Sequence, residues 1–129
     1  METIFSKIVK GEIPCYKVAE NELFLAFLDI QPLVKGHVLV ISKVNVDYIF
    51  DIEDEILSQM IIFSKQVAKK IKKAFPCKKV GVAVIGLEVP HAHIHLIPIN
   101  NMNDMNFTNE KLKLNSEELN LISSKIANS

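Results

Sequence analysis

Three of the four histidines in this 129-residue chain stand at alternate positions, as His91-Ala92-His93-Ile94-His95, followed by Leu96-Ile97-Pro98. Alternation is the period of a β-strand, so the three imidazoles would line one face about 6–7 Å apart. Ala92, Ile94 and Leu96 would line the other face and pack on a core. Histidine is the side chain whose ordinary pKa lies nearest neutrality, so such a row can attack, move protons or ligate a metal. Three partly polar rings side by side pack no better than Val or Ile, and each buried ring nitrogen needs a partner. The fourth histidine opens a second apolar run, His37-Val38-Leu39-Val40-Ile41, and reaches the same face if the two strands pair. Taken alone, His37 reads as a structural histidine. The row itself leaves two chemistries open, a nucleophilic site and a zinc site, since histidines at i and i+2 of a strand suit tetrahedral zinc.

The elements that must position these residues follow from periodicity. Apolar residues at 4, 5, 8 and 9 predict a short amphipathic helix, ended by Gly11 with Pro14 beyond. Residues 16–19 and 23–28 predict two strands joined by a turn at Glu20-Asn21-Glu22, and residues 37–41 a third. The longest helix is predicted over 53–74. Ile56, Met60, Phe63, Val67 and Ile71 form its seam, and Leu57, Ile61 and Ala68 widen it. Lysines 65, 69, 70, 72 and 73 crowd its C-terminal half, where cations favour the helix dipole; they read as a solvated face. Residues 79–85 and 92–99 predict two further strands, and 100–108 a polar loop. Ser116, followed by Glu117 and Glu118, reads as the N-cap of a last helix built on Leu119, Ile122 and Ile126. Strands joined by short turns imply an antiparallel sheet. The expected class is α+β, a five-stranded antiparallel sheet with one long helix and short terminal helices.

The chain length suggests one domain, residues 1–129, and 49% hydrophobic residues suffice for one core. Fifteen basic and fifteen acidic residues cancel, so no field of one sign favours nucleic acid or a membrane surface as partner. All the basic residues are Lys. The bidentate guanidinium fork that commonly clamps phosphate is therefore missing, and a phosphate site must use backbone N–H groups, His, Ser or Lys. Cys15 and Cys77 are too few and too far apart for a disulfide framework or a zinc ribbon. Free thiols, no basic-then-apolar leader and no apolar run of about 20 residues lead to the expectation of a cytoplasmic protein.

The run His91-Ala92-His93-Ile94-His95-Leu96-Ile97 resembles the signature of the histidine triad (HIT) family, in its Hint-like branch. Three further stretches look like family segments in the right order. Residues 3–14 resemble its opening helix, Phe27-Leu28-Asp29-Ile30-Gln31-Pro32 its nucleoside-holding segment, and residues 36–43 its second histidine strand. The likeness covers about 3–98 and leaves 99–129 as a C-terminal extension. It implies the same α+β fold, a homodimer with a sheet continuous across the interface, and a purine nucleotide substrate of the AMP or GMP type. The bond cleaved would be P–N or anhydride at the α-phosphate, with no metal or cofactor. By position, Ile4, Phe5, Ile8, Phe27 and Ile30 would enclose the base, and Asp29 would accept from both ribose hydroxyls. His93 would attack phosphorus, His91 and His95 would contact the phosphoryl oxygens or leaving group, and His37 would orient or polarise from the neighbouring strand. The other ring nitrogen of His93 should donate to a carbonyl, which fixes the tautomer.

Two departures stand out. Relatives usually carry an Asn-x-Gly-rich loop before the triad, whereas here Val84-Ile85-Gly86-Leu87-Glu88-Val89-Pro90 is shorter and places an acidic Glu88 near the phosphate. Many bacterial relatives also begin Cys-x-x-Cys and hold a structural zinc; Thr3 and Ser6 occupy those positions, so that zinc is not expected. Two other functions compete with a nucleotide hydrolase: a nucleotide-binding regulatory protein with little turnover, and a metal-binding protein using His91, His93 and His95.

Overall fold

The computed structural model describes residues 2–129. Three helices, α1 (Ile4–Val9), α2 (Asp54–Ala74) and α3 (Ser116–Ala127), accompany five strands. The strands are β1 (Lys17–Glu20), β2 (Phe24–Leu28), β3 (Val38–Ser42), β4 (Lys79–Ala83) and β5 (His93–Ile99). All neighbouring strands pair antiparallel, in the order β1–β2–β3–β5–β4. This is the α+β architecture expected from the element order. Among the described residues no helix is long and apolar enough to cross a membrane.

Both faces of the sheet are covered, so the central strands read as continuous apolar runs. Phe24, Ala26 and Leu28 of β2, Val38 and Val40 of β3, and Ile94 and Leu96 of β5 face one way. Met60, Phe63, Val67 and Ile71 of α2, with Leu119, Ile122 and Ile126 of α3, close over them. The alternate residues Leu25, Phe27, Leu39 and Ile41 face the other way, against Phe5, Ile8 and Val9 of α1. On β5 this second face begins with His93 and His95. The strand register sets Ile41 opposite His93 and Leu39 opposite His95.

A six-residue helix is too short to persist alone. Besides its packing, α1 is held by a reciprocal cap. The Thr3 hydroxyl accepts the Ser6 N–H (3.0 Å), and the Ser6 hydroxyl accepts the Thr3 N–H (2.7 Å). Hydrogen-bonding oxygens thus stand at positions 3 and 6. The loop from Asp29 to His37 is tied to itself: Asp29 N–H donates to the His37 carbonyl and His37 N–H to that of Val34. Gly36 makes the turn at φ +95°, where a Cβ would also press on Phe75 and Pro98 at 3.2 Å.

Some boundaries differ from expectation. The third strand begins at Val38, with His37 closing the loop before it. The fourth ends at Ala83 rather than 85, because the chain leaves the sheet toward Gly86, which turns at φ +69°. Ile61 does not widen the apolar face of α2; it is 52% exposed. The cap of α3 is Asn115, not Ser116. A reciprocal cap needs its partner three residues on, and from Asn115 that residue is Glu118, whose N–H donates to the Asn115 carboxamide at 2.8 Å.

Candidate active site

A cavity of about 530 Å³ opens on the α1 side of the sheet. It lies between α1, the Asp29 loop, the 84–90 loop and the C-terminal segment. Nine of the ten residues singled out in the sequence line it: Ile4, Phe5, Ile8, Phe27, Asp29, Ile30, His37, His93 and His95. Phe5 and Phe27 are buried and meet edge to face at 5.7 Å, while Ile4 and Ile30 are exposed at the rim. Phe5 also sets its ring edge-on to His93 at 5.0 Å, so the opening helix orients the central histidine.

The hydrogen bonds around the histidines assign their protons. Nδ1 of His93 lies 2.7 Å from the His91 carbonyl, which can only accept. Nδ1 therefore carries the hydrogen, and Nε2 of the neutral ring holds a lone pair. The Leu33 N–H donates to Nδ1 of His37 at 3.1 Å, so the His37 hydrogen is on Nε2. That Nε2–H donates to Nδ1 of His95 at 2.9 Å. His95 must then carry its hydrogen on Nε2, as a donor. Backbone, His37 and His95 thus form a directed chain that ends in an N–H next to a neighbouring lone pair. The His93 and His95 ring centres are 5.0 Å apart.

Burial keeps this chain neutral. It pushes His37 down to about 3, helped by the neighbouring His95 and Lys111. It pushes His95 down to about 4, helped by His93. Asp29 Oδ2 lies 3.6 Å from His37 Nε2, but a neutral His37 makes no ion pair, and its hydrogen points to His95. Burial raises the Asp29 carboxyl, partly offset by the Gln31 N–H it accepts at 2.9 Å. That arrangement leaves carboxylate lone pairs for hydroxyl donors in the cavity.

His91 departs from its expected place. It precedes β5, is fully buried and does not line the cavity. Its Nε2–H donates to the Ser42 carbonyl at 2.6 Å, and its Nδ1 accepts from the Thr3 hydroxyl at 3.1 Å. Both ring nitrogens are spent inside the protein, so His91 cannot touch a phosphoryl oxygen in this arrangement. What it offers the site is its carbonyl, beneath His93.

The same tautomers bear on a metal. His91, with no free nitrogen, cannot join His93 and His95 as a ligand. Asp29, His37 and His95 do bring one ligand atom each within 4.8 Å of the others. For His37 to ligate through Nε2 as a neutral ring, however, its hydrogen would have to move to Nδ1, where the Leu33 N–H already points. Two donors would then face each other, so this donor set does not fit a metal.

The lining also includes residues with no site role in the sequence analysis, among them Phe107, edge-on to His95 at 5.0 Å, and Lys111. Both come from the segment read as a polar loop and the stretch after it. The available signal is one aromatic residue in an Asn- and Met-rich stretch. Glu88 lines the mouth of the cavity and is exposed, so water screens its charge.

Comparison with known proteins gives a consistent picture. The family model described as HIT domain matches residues 10–102. The adenosine 5'-monophosphoramidase HNT1 of Saccharomyces cerevisiae is 41% identical over 96 residues, which cover 74% of this chain. The match spans 61% of that relative's length, under two thirds of it. The adenosine 5'-monophosphoramidase hnt1 of Schizosaccharomyces pombe is also 41% identical, over 99 residues that cover 76% of this chain and 74% of its own. Among solved structures, a Hit-like protein from Bartonella henselae, described as involved in cell-cycle regulation, superposes with a TM-score of 0.85 at 31% identity. That superposition covers 98% of this chain and 95% of the other.

Proposed function

The chain belongs to the HIT domain family, and from that premise we propose that it hydrolyses purine nucleoside phosphoramidates or related AMP and GMP conjugates at the α-phosphate. The observation that carries the reading is the pair of opposed functions on β5, a lone pair on His93 Nε2 and an N–H on His95 Nε2, at one cavity. Relatives described as adenosine 5'-monophosphoramidases support the reaction class.

In this mechanism the base lies between Phe5, Phe27, Ile4, Ile8 and Ile30, and Asp29 accepts from the ribose hydroxyls. His93 Nε2 attacks the α-phosphorus as the P–N bond breaks. The amine leaves protonated, its proton supplied by solvent through the open mouth. The His91 carbonyl, accepting from Nδ1, stabilises the positive charge that develops on the ring. His95 Nε2–H donates to a phosphoryl oxygen as charge gathers there, and His37 keeps that tautomer in place. Water then attacks the same phosphorus, the P–N bond to His93 breaks, and the nucleoside monophosphate and a proton are released. Splitting one displacement into two lowers each barrier.

We take the functional unit to be a homodimer. β4 lies at one edge of the sheet with Val82 exposed, and Val84 just beyond it is exposed as well, an apolar edge suited to pairing with a second copy. Light scattering should then give the mass of two chains, and a single-chain mass would exclude this assembly.

Turnover of adenosine 5'-phosphoramidate to AMP, with EDTA present, tests the reaction. Metal-free turnover by the wild type that disappears in His93→Ala is expected. Binding of AMP without turnover would favour a nucleotide-binding regulatory protein instead, and turnover surviving in His93→Ala would rule out the histidine nucleophile.

A further inference from the structure

The segment after β5 crosses back over the histidine face. The ring of Phe107 stands edge-on to His95 at 5.0 Å and to His37 at 6.4 Å. Five residues later the Leu112 N–H donates to the Pro32 carbonyl at 2.9 Å. Residues 107–112 therefore form a strap, seated at one end on the histidine pair and pinned at the other to the Asp29 loop. Between these anchors lies Lys111, half-buried and lining the cavity. Its ammonium donates to the Phe107 carbonyl at 2.6 Å and the Asn109 carbonyl at 2.9 Å. An ammonium has three N–H donors. Two hold the strap's own turn, which leaves one for a ligand.

The charges around the cavity give that donor its significance. Asp29 and Glu88 are the acidic lining residues, and Lys111 is the permanent cation among the described ones. The paired histidines are held neutral, as derived above, and the chain has no Arg. A nucleotide would bring a phosphate anion into a site whose other fixed charges are both negative. Some positive charge must offset this if the anion is to leave water.

We propose that Lys111 is the phosphate-binding cation of this cavity, presented by the 107–112 strap to the α-phosphoryl group of a bound nucleotide. The inference rests on the nucleotide reading of the site and adds the residue that separates a nucleotide from a nucleoside. It also gives the C-terminal extension a part in the site: Phe107 covers His95 from solvent and Lys111 supplies the charge. The strap runs from the histidine pair to the Asp29 loop, which puts Lys111 on the side where ribose would meet phosphate; its charge also helps to lower Asp29 and His37.

The test is calorimetric binding of AMP and of adenosine to the full chain and to Lys111→Met and Lys111→Arg. Met keeps the apolar stem and removes the charge, and Arg keeps the charge. Loss of one charge-assisted contact corresponds to about tenfold in affinity. AMP should weaken by about that factor in Lys111→Met, while adenosine changes by no more than about twofold. Lys111→Arg should restore most of the preference for AMP. Equal weakening of both ligands would make the strap a structural cover and overturn the proposal, as would unchanged AMP affinity in Lys111→Met. Failure of the wild type to bind either ligand would overturn the nucleotide reading itself, so the two failures are distinguishable.

Discussion

The two faces of the sheet are built on opposite principles, and β5 carries both in alternate residues. Ile94 and Leu96 point toward α2 and α3, into a region where contact among apolar side chains does the holding. His93 and His95 point toward α1 and the cavity, where partners for polar atoms decide the arrangement. On the helix-covered face a residue can be replaced by another of similar shape. On the histidine face each ring is fixed through a named donor or acceptor, and a change at one ring alters the tautomer of the next. Burial is thus used twice: to stabilise the fold, and to keep His37 and His95 neutral at pH values where they would protonate in water.

The sharpest way to break this comparison is to truncate two adjacent residues of β5. His93→Ala should lower turnover by about 10³-fold or more. It should change unfolding free energy by only about 1–2 kcal/mol, because one hydrogen bond and the ring contacts to Phe5 and His95 are lost at a wall already open to the cavity. Ile94→Ala should do the reverse. Ile94 is fully buried, so the cavity left behind should cost about 2–5 kcal/mol, with turnover per folded molecule retained. Urea unfolding and steady-state rates on the two variants would check this. A large stability loss in His93→Ala would mean that the histidine face is structural as well.

His37 offers a finer test of the directed hydrogen-bond chain. Phe at this position can neither accept from Leu33 nor donate to His95, so His95 loses the bond that fixes its proton. Turnover should fall about ten- to a hundredfold in His37→Phe. Gln has both a carbonyl and an N–H, and His37→Gln should recover part of the loss. Equal rates for the two variants would show that only packing at residue 37 matters.

The same face should make stability depend on pH. His37, His95 and His91 all have folded pKa values below their ordinary 6.5, chiefly through burial. Below pH 6.5 the unfolded chain therefore binds more protons than the folded one. Stability is full above that point and declines as pH falls toward 4 and 3, the folded values of His95 and His37. Two such histidines give a loss of about 2–4 kcal/mol between pH 7 and pH 5. Asp29, whose carboxyl is raised by burial, acts in the opposite direction above its ordinary 3.8 and offsets a little of this. Urea midpoints at the two pH values should differ in the wild type and differ less in His37→Gln. A flat profile would contradict neutral buried histidines.

Much of this contrast could be read in the sequence because alternation is a strong signal. His93 and His95 against Ile94 and Leu96 settle which side faces which, and the seam of α2 supplies the cover. His91 was misplaced because period-two reasoning assumes that the strand continues. The chain enters β5 only at His93, and the ring of His91 is claimed by Ser42 and Thr3, far away in sequence. Phe107 and Lys111 escaped for a related reason. Nothing local in a polar stretch reveals that a backbone bond from Leu112 to Pro32 will fold it over the site. Hydrophobic pattern records which face is buried, whereas tautomers and straps depend on long-range partners that leave no period.

The smallest effect separates the two faces by sign. Ser64, on the buried side of α2, has a hydroxyl without a hydrogen-bond partner, in the midst of the apolar face. Ser64→Ala removes an unpaired polar atom and substitutes a better helix former, so the protein should gain about 1 kcal/mol. On the histidine face the corresponding step, Thr3→Val, takes the hydroxyl from Nδ1 of His91 and the cap from α1. It should cost about 1–3 kcal/mol, because a buried acceptor and a helix N–H are left without partners. Matched denaturation curves for the two variants would decide the matter. Loss of stability in both would mean that Ser64 is better satisfied in solution than its surroundings here imply, and that the two faces follow one rule.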